Sequence, residues 1–233
     1  MGDLSNDLAD VRRRIEAACR RSGRDAKDVK LIAVSKTHPP ETIREAIAAG
    51  CKTFGENKIQ EAEGKIVEVG RDAAEWHVIG HLQSNKARKA VQLFDVIHSL
   101  DSVELAGRLE RICIEENRSE LPVLVQVDLA GEATKSGIAV ADLPRLIEFL
   151  TSCARLAFIG LMVLPPFFDD AEATRWFFVR LREIRDRLVS EGKFRRGSGE
   201  LSMGMSNDFE VAIEEGATMV RVGTAIFGER QYN

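Results

Sequence analysis

Apolar positions along the chain repeat in two alternating ways. Leu4, Leu8, Val11, Ile15 and Ala18 recur at helical spacing and Gly23 stops the run, which predicts an amphipathic helix at the start. Leu31-Ile32-Ala33-Val34-Ser35 is a short apolar run of the kind a parallel strand shows when both faces are buried. The exchange then repeats. Helices are predicted over about 41–49, ending at Gly50, over about 58–69 and over about 84–93. Between them lie strands at Thr53-Phe54-Gly55, Trp76-His77-Val78-Ile79-Gly80 and Asp95-Val96-Ile97-His98-Ser99, and Ser102 is placed to cap the next helix. Pro122 to Leu129 is the clearest strand. Asp142 opens a helix that carries Leu143, Leu146, Ile147 and Leu150, and Ala157 to Leu164 is a sixth strand. Phe177, Leu181, Ile184 and Leu188 mark a further helix, which ends at Gly192. The segment from Gly192 to Gly199, with three glycines and three basic residues, reads as a mobile loop. Leu201-Ser202-Met203-Gly204 is a seventh strand end, Asn207 with Glu210 three residues on resembles a helix start, and Met219-Val220-Arg221-Val222-Gly223 is the eighth strand.

Strands that alternate with helices imply a parallel sheet, because parallel neighbours need crossover connections. Eight repeats with nothing left over, in a chain of 233 residues, favour an α/β fold of one closed (β/α)8 TIM barrel with an extra N-terminal helix. No linker is visible, so residues 1–233 are expected to form a single domain. No Gly-x-Gly-x-x-Gly follows the first strand, which argues against a dinucleotide site.

Composition removes several function classes. Apolar residues make up 44% and charged residues 30%, as in ordinary folded, soluble chains. A net charge of -4 argues against nucleic acid, and Arg12 to Arg14 with Arg20 and Arg21 read as a solvated helix face. No apolar run reaches the ~20 residues of a membrane span, and the arginine-containing stretch from Met1 to Gly23 is no signal peptide. Cys19, Cys51, Cys113 and Cys153 are far apart and lack CxxC spacing, which fits reduced thiols and a cytoplasmic location. His77 and His81 stand four apart, but Gly80 breaks any helix that would align them, so no metal site is expected.

In this architecture chemistry collects at the C-terminal ends of the strands. Lys36 stands there directly after the first strand. Partial desolvation would favour its neutral amine as a nucleophile toward a carbonyl; a snorkelling lysine is the plainer reading, and spacing does not separate the two. The loops after the last two strands often form a phosphate site in TIM barrels. Here they are Ser202-Met203-Gly204-Met205-Ser206 and Arg221-Val222-Gly223-Thr224, rich in hydroxyls and closely approachable backbone N–H groups. A Schiff-base lysine facing a phosphate cradle suits pyridoxal phosphate or a sugar phosphate, the latter as in a lysine-dependent aldolase. Arg221 bears on the choice. A guanidinium that donates to a pyridine nitrogen keeps that nitrogen unprotonated and weakens the electron sink of a pyridoxal enzyme.

Eight segments then carry a resemblance. They are Val34-Ser35-Lys36-Thr37, Phe54-Gly55-Glu56-Asn57, Trp76-His77-Val78-Ile79-Gly80, Leu82-Gln83-Ser84-Asn85-Lys86, Thr134-Lys135-Ser136-Gly137, Gly160-Leu161-Met162, Leu201-Ser202-Met203-Gly204-Met205-Ser206, and Arg221-Val222-Gly223-Thr224-Ala225-Ile226-Phe227-Gly228. In this order they resemble the pyridoxal-phosphate homeostasis protein family, itself similar to the N-terminal domain of alanine racemase, over nearly the whole chain. The resemblance implies pyridoxal 5'-phosphate, the coenzyme form of vitamin B6, held as an internal aldimine on Lys36. It implies phosphate contacts from Ser202, Met203, Gly223 and Thr224, with Arg221 near the pyridine nitrogen and Asn57 near the ring. It further implies a protein that buffers or delivers the cofactor and has no strong catalytic turnover, so no catalytic residue is assigned. The expected partners are the cofactor and apo-enzymes that depend on it, with no nucleic acid and no membrane, and the chain is expected to be a monomer.

Two positions depart from the family pattern: Lys58, where an aromatic residue is expected, and His81, where proline is expected. Both put the packing around the ring in question. Gln83, Ser84, Asn85, Lys86, Arg88 and Lys89 form a polar, basic helix start that reads as a solvated face or an anion site. Lys135, in a glycine-flanked loop, is a second candidate to meet an aldehyde or a phosphate. The competing reading is a pyridoxal-dependent amino-acid racemase. The alanine-racemase resemblance implies that racemisation needs a tyrosine from a second, β-rich domain, which is not expected here; the one tyrosine, Tyr232, is the second-last residue.

Overall fold

The computed structural model describes residues 3–131 and 136–228. Eight parallel strands close on themselves. β1 (Lys30–Val34) pairs with β2 (Thr53–Glu56), β2 with β3 (Glu75–Val78), β3 with β4 (Val96–Leu100) and β4 with β5 (Leu121–Asp128). A two-residue strand, β6 (Ile138–Ala139), adds to the end of β5 outside the ring; it is too short to show a period in sequence. β5 continues the ring to β7 (Leu156–Met162), then β8 (Glu200–Ser202) and β9 (Met219–Val222), which returns to β1. The α/β TIM barrel with an extra N-terminal helix is therefore what the chain forms.

The helices are α1 (Leu4–Arg21), α2 (Pro40–Ala48), α3 (Ile59–Val69), α4 (Ala87–Leu93), α5 (Val103–Glu115), α6 (Leu143–Ser152), α7 (Arg175–Ser190), α8 (Phe209–Glu214) and α9 (Thr224–Phe227). Among the described residues none is long and apolar enough to cross a membrane. Side chains alternate between the two faces of each strand. Ala33, Phe54, Trp76, Ile97 and Val123 face outward into the main core beneath the helices, while Ile32, Val96, Leu124, Ala157, Ile159, Met162 and Met219 fill the barrel. Ser102 caps α5 as expected, its Oγ accepting from the Leu105 N–H at 3.3 Å.

Three expectations change. The arginines of α1 are not one solvated face. Arg14 and Arg21 bind Glu210 and Glu214 of α8 at 2.7 and 2.8 Å, and Arg12 donates to the Ala49 and Gly50 carbonyls at the end of α2. Segment 192–199 is tied down, because the Arg195 guanidinium donates to the carbonyls of Cys153, Ala154 and Leu156, and Phe194 packs on Phe158 at 4.8 Å. The helix after β8 starts at Phe209, with Asp208 at its N-cap. Asn207 instead donates from its amide to the Phe168 carbonyl at 3.1 Å.

Gly204 makes the turn between β8 and α8. Its φ is +90°, and a Cβ there would lie 2.6 Å from the Ala212 Cβ and 2.9 Å from the Phe209 Cα. Left-handed strain and a backbone clash add, so Gly204→Ala is expected to lower stability by at least ~2 kcal/mol. Urea unfolding checks this; an unchanged midpoint would mean that the turn relaxes without cost.

Candidate functional site

Lys36 follows β1 in a tight turn, half-buried at the C-terminal mouth. The next residue, Thr37, has φ +67°, an outlier for a β-branched side chain and worth roughly 1–3 kcal/mol of local strain. A buried ion cluster holds the turn from below. The Lys65 ammonium donates to the Ser35 carbonyl at 2.8 Å, to Glu56 at 3.0 and 3.2 Å and to Glu61 at 2.7 Å. Ser35 Oγ donates to Glu56 at 2.7 Å, and the Thr37 N–H donates to Glu61. Both neighbours of Lys36 are thus anchored to one cluster. Burial pushes the Glu56 carboxyl up, opposed by Lys65 and Ser35. Burial also acts upward on Glu61, but hydrogen bonds from Lys65 and the Thr37 backbone leave it below its ordinary range.

The loop after β9 packs directly against this turn. A Cβ on Gly223 would sit 3.3 Å from the Val34 Cβ, and the His38 ring lies 4.9 Å from that of Phe227. The N–H groups of Gly223 and Ala225 converge on Ser206 Oγ at 3.2 and 3.4 Å. Ser206, half-buried, and Thr224, exposed, therefore stand with two backbone donors beside the lysine turn. Ser202 and Met203 do not line this cradle with their side chains. Strand alternation sends Ser202 Oγ into the barrel interior and the Met203 side chain into the core beneath the helices.

Arg221 is 3% exposed and spans the barrel interior. Its Nη1 donates to Ser202 Oγ at 2.6 Å and its Nη2 to the Val163 carbonyl at 2.9 Å. Both partners are neutral, and burial draws the guanidinium down to about 10, with Asp208 acting the other way. Asn57, half-buried, directly follows β2, and its backbone is packed so closely on Gly80 that a Cβ there would lie 2.4 Å from the Asn57 carbonyl oxygen.

The remaining candidates lie elsewhere. Lys58 and His81 are exposed, with His81 3.5 Å from Asp101. His77 faces inward and contacts His98 at 2.8 Å, so His77 and His81 do not meet. The basic start of α4 is paired: Arg88 with Glu115 and Glu116, Lys89 with Glu63. Lys135 and Tyr232 lie outside the described residues. Sequence reasoning overlooked Lys65 and His98, and it placed Ser206 in the phosphate loop without naming it as a contact. Lys65 does carry a signal, because it falls on the buried stripe of α3 with Ile59, Ala62 and Ile66.

Removing one partner of a buried pair leaves the other charge uncompensated, at a cost of ~3–5 kcal/mol. Lys65→Met is expected to destabilise by that order, and Glu56→Gln in the same chain to restore part of it, as read by urea unfolding. Additive losses in the double variant would show that the two groups are not energetically coupled.

Residues 6–231 match the family described as alanine racemase, N-terminal domain. The chain is 43% identical to the pyridoxal phosphate homeostasis protein of Aquifex aeolicus over 97% of both chains. It superposes on the structure of PipY from Synechococcus elongatus with PLP bound with a TM-score of 0.84 and 42% identity, covering 97% of this chain and all of that one. Alanine racemase from Corynebacterium glutamicum shares the fold at 16% identity, TM-score 0.67, over 96% of this chain and 62% of its own. Matches of that extent place this chain in the pyridoxal phosphate homeostasis protein family, built on the alanine racemase N-terminal domain.

Proposed function

We propose that this chain binds pyridoxal 5'-phosphate and buffers or delivers it, with Lys36 as the covalent anchor and no efficient turnover of its own. The observation that carries the reading is the convergence of three groups at one mouth. These are a lysine on a strained, clamped turn, a cradle of backbone donors packed against that turn, and a buried arginine bonded, among the described residues, to neutral acceptors. A buried cation hydrogen-bonded to neutral acceptors, beside N–H donors, fits an anionic ligand with further acceptors. When bound, the cofactor supplies an aldehyde that the amine of Lys36 can hold. The relatives' names and the PLP-bound PipY structure support the same ligand.

Within this reading Ser206, Gly223, Thr224 and Ala225 take the phosphate, Arg221 faces the pyridine nitrogen and Asn57 borders the ring. The phosphate role that the resemblance gave to Ser202 passes to Ser206, since the Ser202 hydroxyl is already engaged by Arg221 in the interior. Met203 contributes backbone alone; its N–H donates to the Met219 carbonyl at 3.1 Å. Location in the cytoplasm, a monomeric state and hand-over to apo-enzymes remain part of the proposal.

Charge-assisted hydrogen bonds are worth roughly 1.5–3 kcal/mol each. Replacing both Ser206 and Thr224 by Ala is therefore expected to weaken pyridoxal 5'-phosphate binding at least ~10-fold, and pyridoxal should bind the unaltered protein poorly. Equal affinity for the two aldehydes by equilibrium dialysis would rule out the cradle.

The racemase fold leaves amino-acid chemistry as the second reading. Arg221 speaks against efficiency, because a guanidinium at the ring nitrogen leaves it unprotonated and the electron sink weak. With saturating cofactor, L-alanine is expected to racemise far below the ~10 per second typical of enzymes. Turnover near that value would replace the carrier reading with the racemase one.

A further inference from the structure

A line of buried polar groups crosses the barrel from one mouth to the other. Arg221 on β9 donates to Ser202 Oγ of β8 at 2.6 Å. Ser202 Oγ lies 2.8 Å from His98 Nδ1 on β4, and His98 Nε2 lies 2.8 Å from His77 Nδ1 on β3. His77 Nε2 lies 3.1 Å from Glu75 Oε1 at the start of the same strand. Ser202, His77 and His98 are fully buried. Glu75 also accepts from Lys30 at 2.8 and 3.0 Å and lines a cavity of about 550 Å³ open at the N-terminal mouth.

The charges at the two ends favour one direction for the bonds between them. Arg221 can only donate and an ionised Glu75 can only accept. His77 therefore carries its proton on Nε2 and presents a bare Nδ1. His98 then donates from Nε2 and keeps Nδ1 bare, and Ser202 turns its O–H toward that nitrogen. This leaves an oxygen lone pair of Ser202 facing Arg221. The weak link is His77 to Glu75, which has the distance of a hydrogen bond but not its alignment.

We propose that His98 and His77 are positioning residues for Arg221: as neutral Nε2–H tautomers they pin the Ser202 hydroxyl as an acceptor and so hold the guanidinium in place for the cofactor ring. With the Val163 carbonyl, Ser202 then fixes both terminal nitrogens of Arg221. The surroundings oppose a charged imidazole in the line. His98 is held well below its ordinary value by burial, then by His77, Arg221 and Lys30. His77 is lowered by burial, against Glu75 and Asp95 and together with Lys30. Glu75 is drawn down to about 2, by His77 first, with Lys30 adding to it against its partial burial. The line also dead-ends for protons at Arg221, which has no site to accept one, so it acts as a strut and not as a wire. The role at the cofactor rests on the reading of Arg221 given under Proposed function.

Two measurements separate this proposal from that reading. The first is ring ¹⁵N NMR of histidine-labelled, cofactor-free protein, with signals assigned through His81→Asn, His38→Asn and His98→Gln. His77 and His98 are expected as neutral Nε2–H tautomers that do not titrate from about pH 5.5 to 8.5, a range spanning the ordinary imidazole value. An Nδ1–H tautomer, or titration inside that range, overturns the proposal whatever the ligand. The second is the visible absorption band and the pyridoxal 5'-phosphate affinity of His98→Leu and His98→Gln. Gln can accept and donate at the two ends of the imidazole's place. His98→Leu should shift the band and weaken binding about tenfold, whereas His98→Gln should restore both toward wild type. A His98→Leu protein with the wild-type band and affinity overturns the positioning role. If wild type itself shows no band with pyridoxal 5'-phosphate, the cofactor reading fails while the tautomer result stands on its own.

Discussion

The pairing of the last strand with the first is the constraint on which the site depends. Lys30, Leu31, Ile32 and Ala33 of β1 stand opposite Met219, Val220, Arg221 and Val222 of β9. That register closes the ring and sets Gly223 against Val34, two residues before Lys36. A lysine near the start of the chain and a donor loop near its end thereby become one site. Because strand side chains alternate, a one-residue slip would turn Arg221 out of the barrel and under the helices. Met219, on the same inward face of β9, resists such a slip, since it would have to leave its apolar contacts in the interior together with the arginine.

Around this pairing the molecule holds more buried charge than stability requires. Arg221 lies inside the barrel on neutral acceptors, and Lys65 with Glu56 lies beneath the Lys36 turn. Buried ion pairs seldom outperform apolar residues of the same volume. Their use here is geometric. Lys65 reaches the Ser35 carbonyl and, through Glu61, the Thr37 N–H, so the backbone on both sides of Lys36 is fixed. The strain at Thr37 is tolerated because that cluster over-determines the turn.

The barrel was legible in the sequence because its signals are periodic and repeated. Apolar runs such as 31–35 and 122–129, separated by helical stripes, admit few other arrangements. Details that depend on the path of a single turn were not legible. Alternation places Ser202 inside the barrel, but only the left-handed backbone of Gly204 determines that Ser206, and not Ser202, returns to the Gly223 loop. Asp208 takes the N-cap of α8, with its carboxylate accepting from the Met205 N–H at 2.6 Å, and this moves the helix start past Asn207. His98 read as one polar residue in a strand, because its partners His77 and Ser202 are 21 and 104 residues away. Lys65 was not singled out because its charge partner Glu56 belongs to the preceding strand.

Lys36, and no other lysine, is the proposed anchor of the cofactor. The most direct measurement is borohydride reduction of the protein after loading with pyridoxal 5'-phosphate, followed by peptide mapping. On a turn clamped at Ser35 and Thr37, beside which the Gly223 loop packs on Val34, Lys36 should hold nearly all of the pyridoxyl label. In Lys36→Ala the stable label should disappear, while weak reversible binding persists through the phosphate cradle. A label found mainly on another lysine, or full labelling of the Lys36→Ala protein, would contradict the account at its centre.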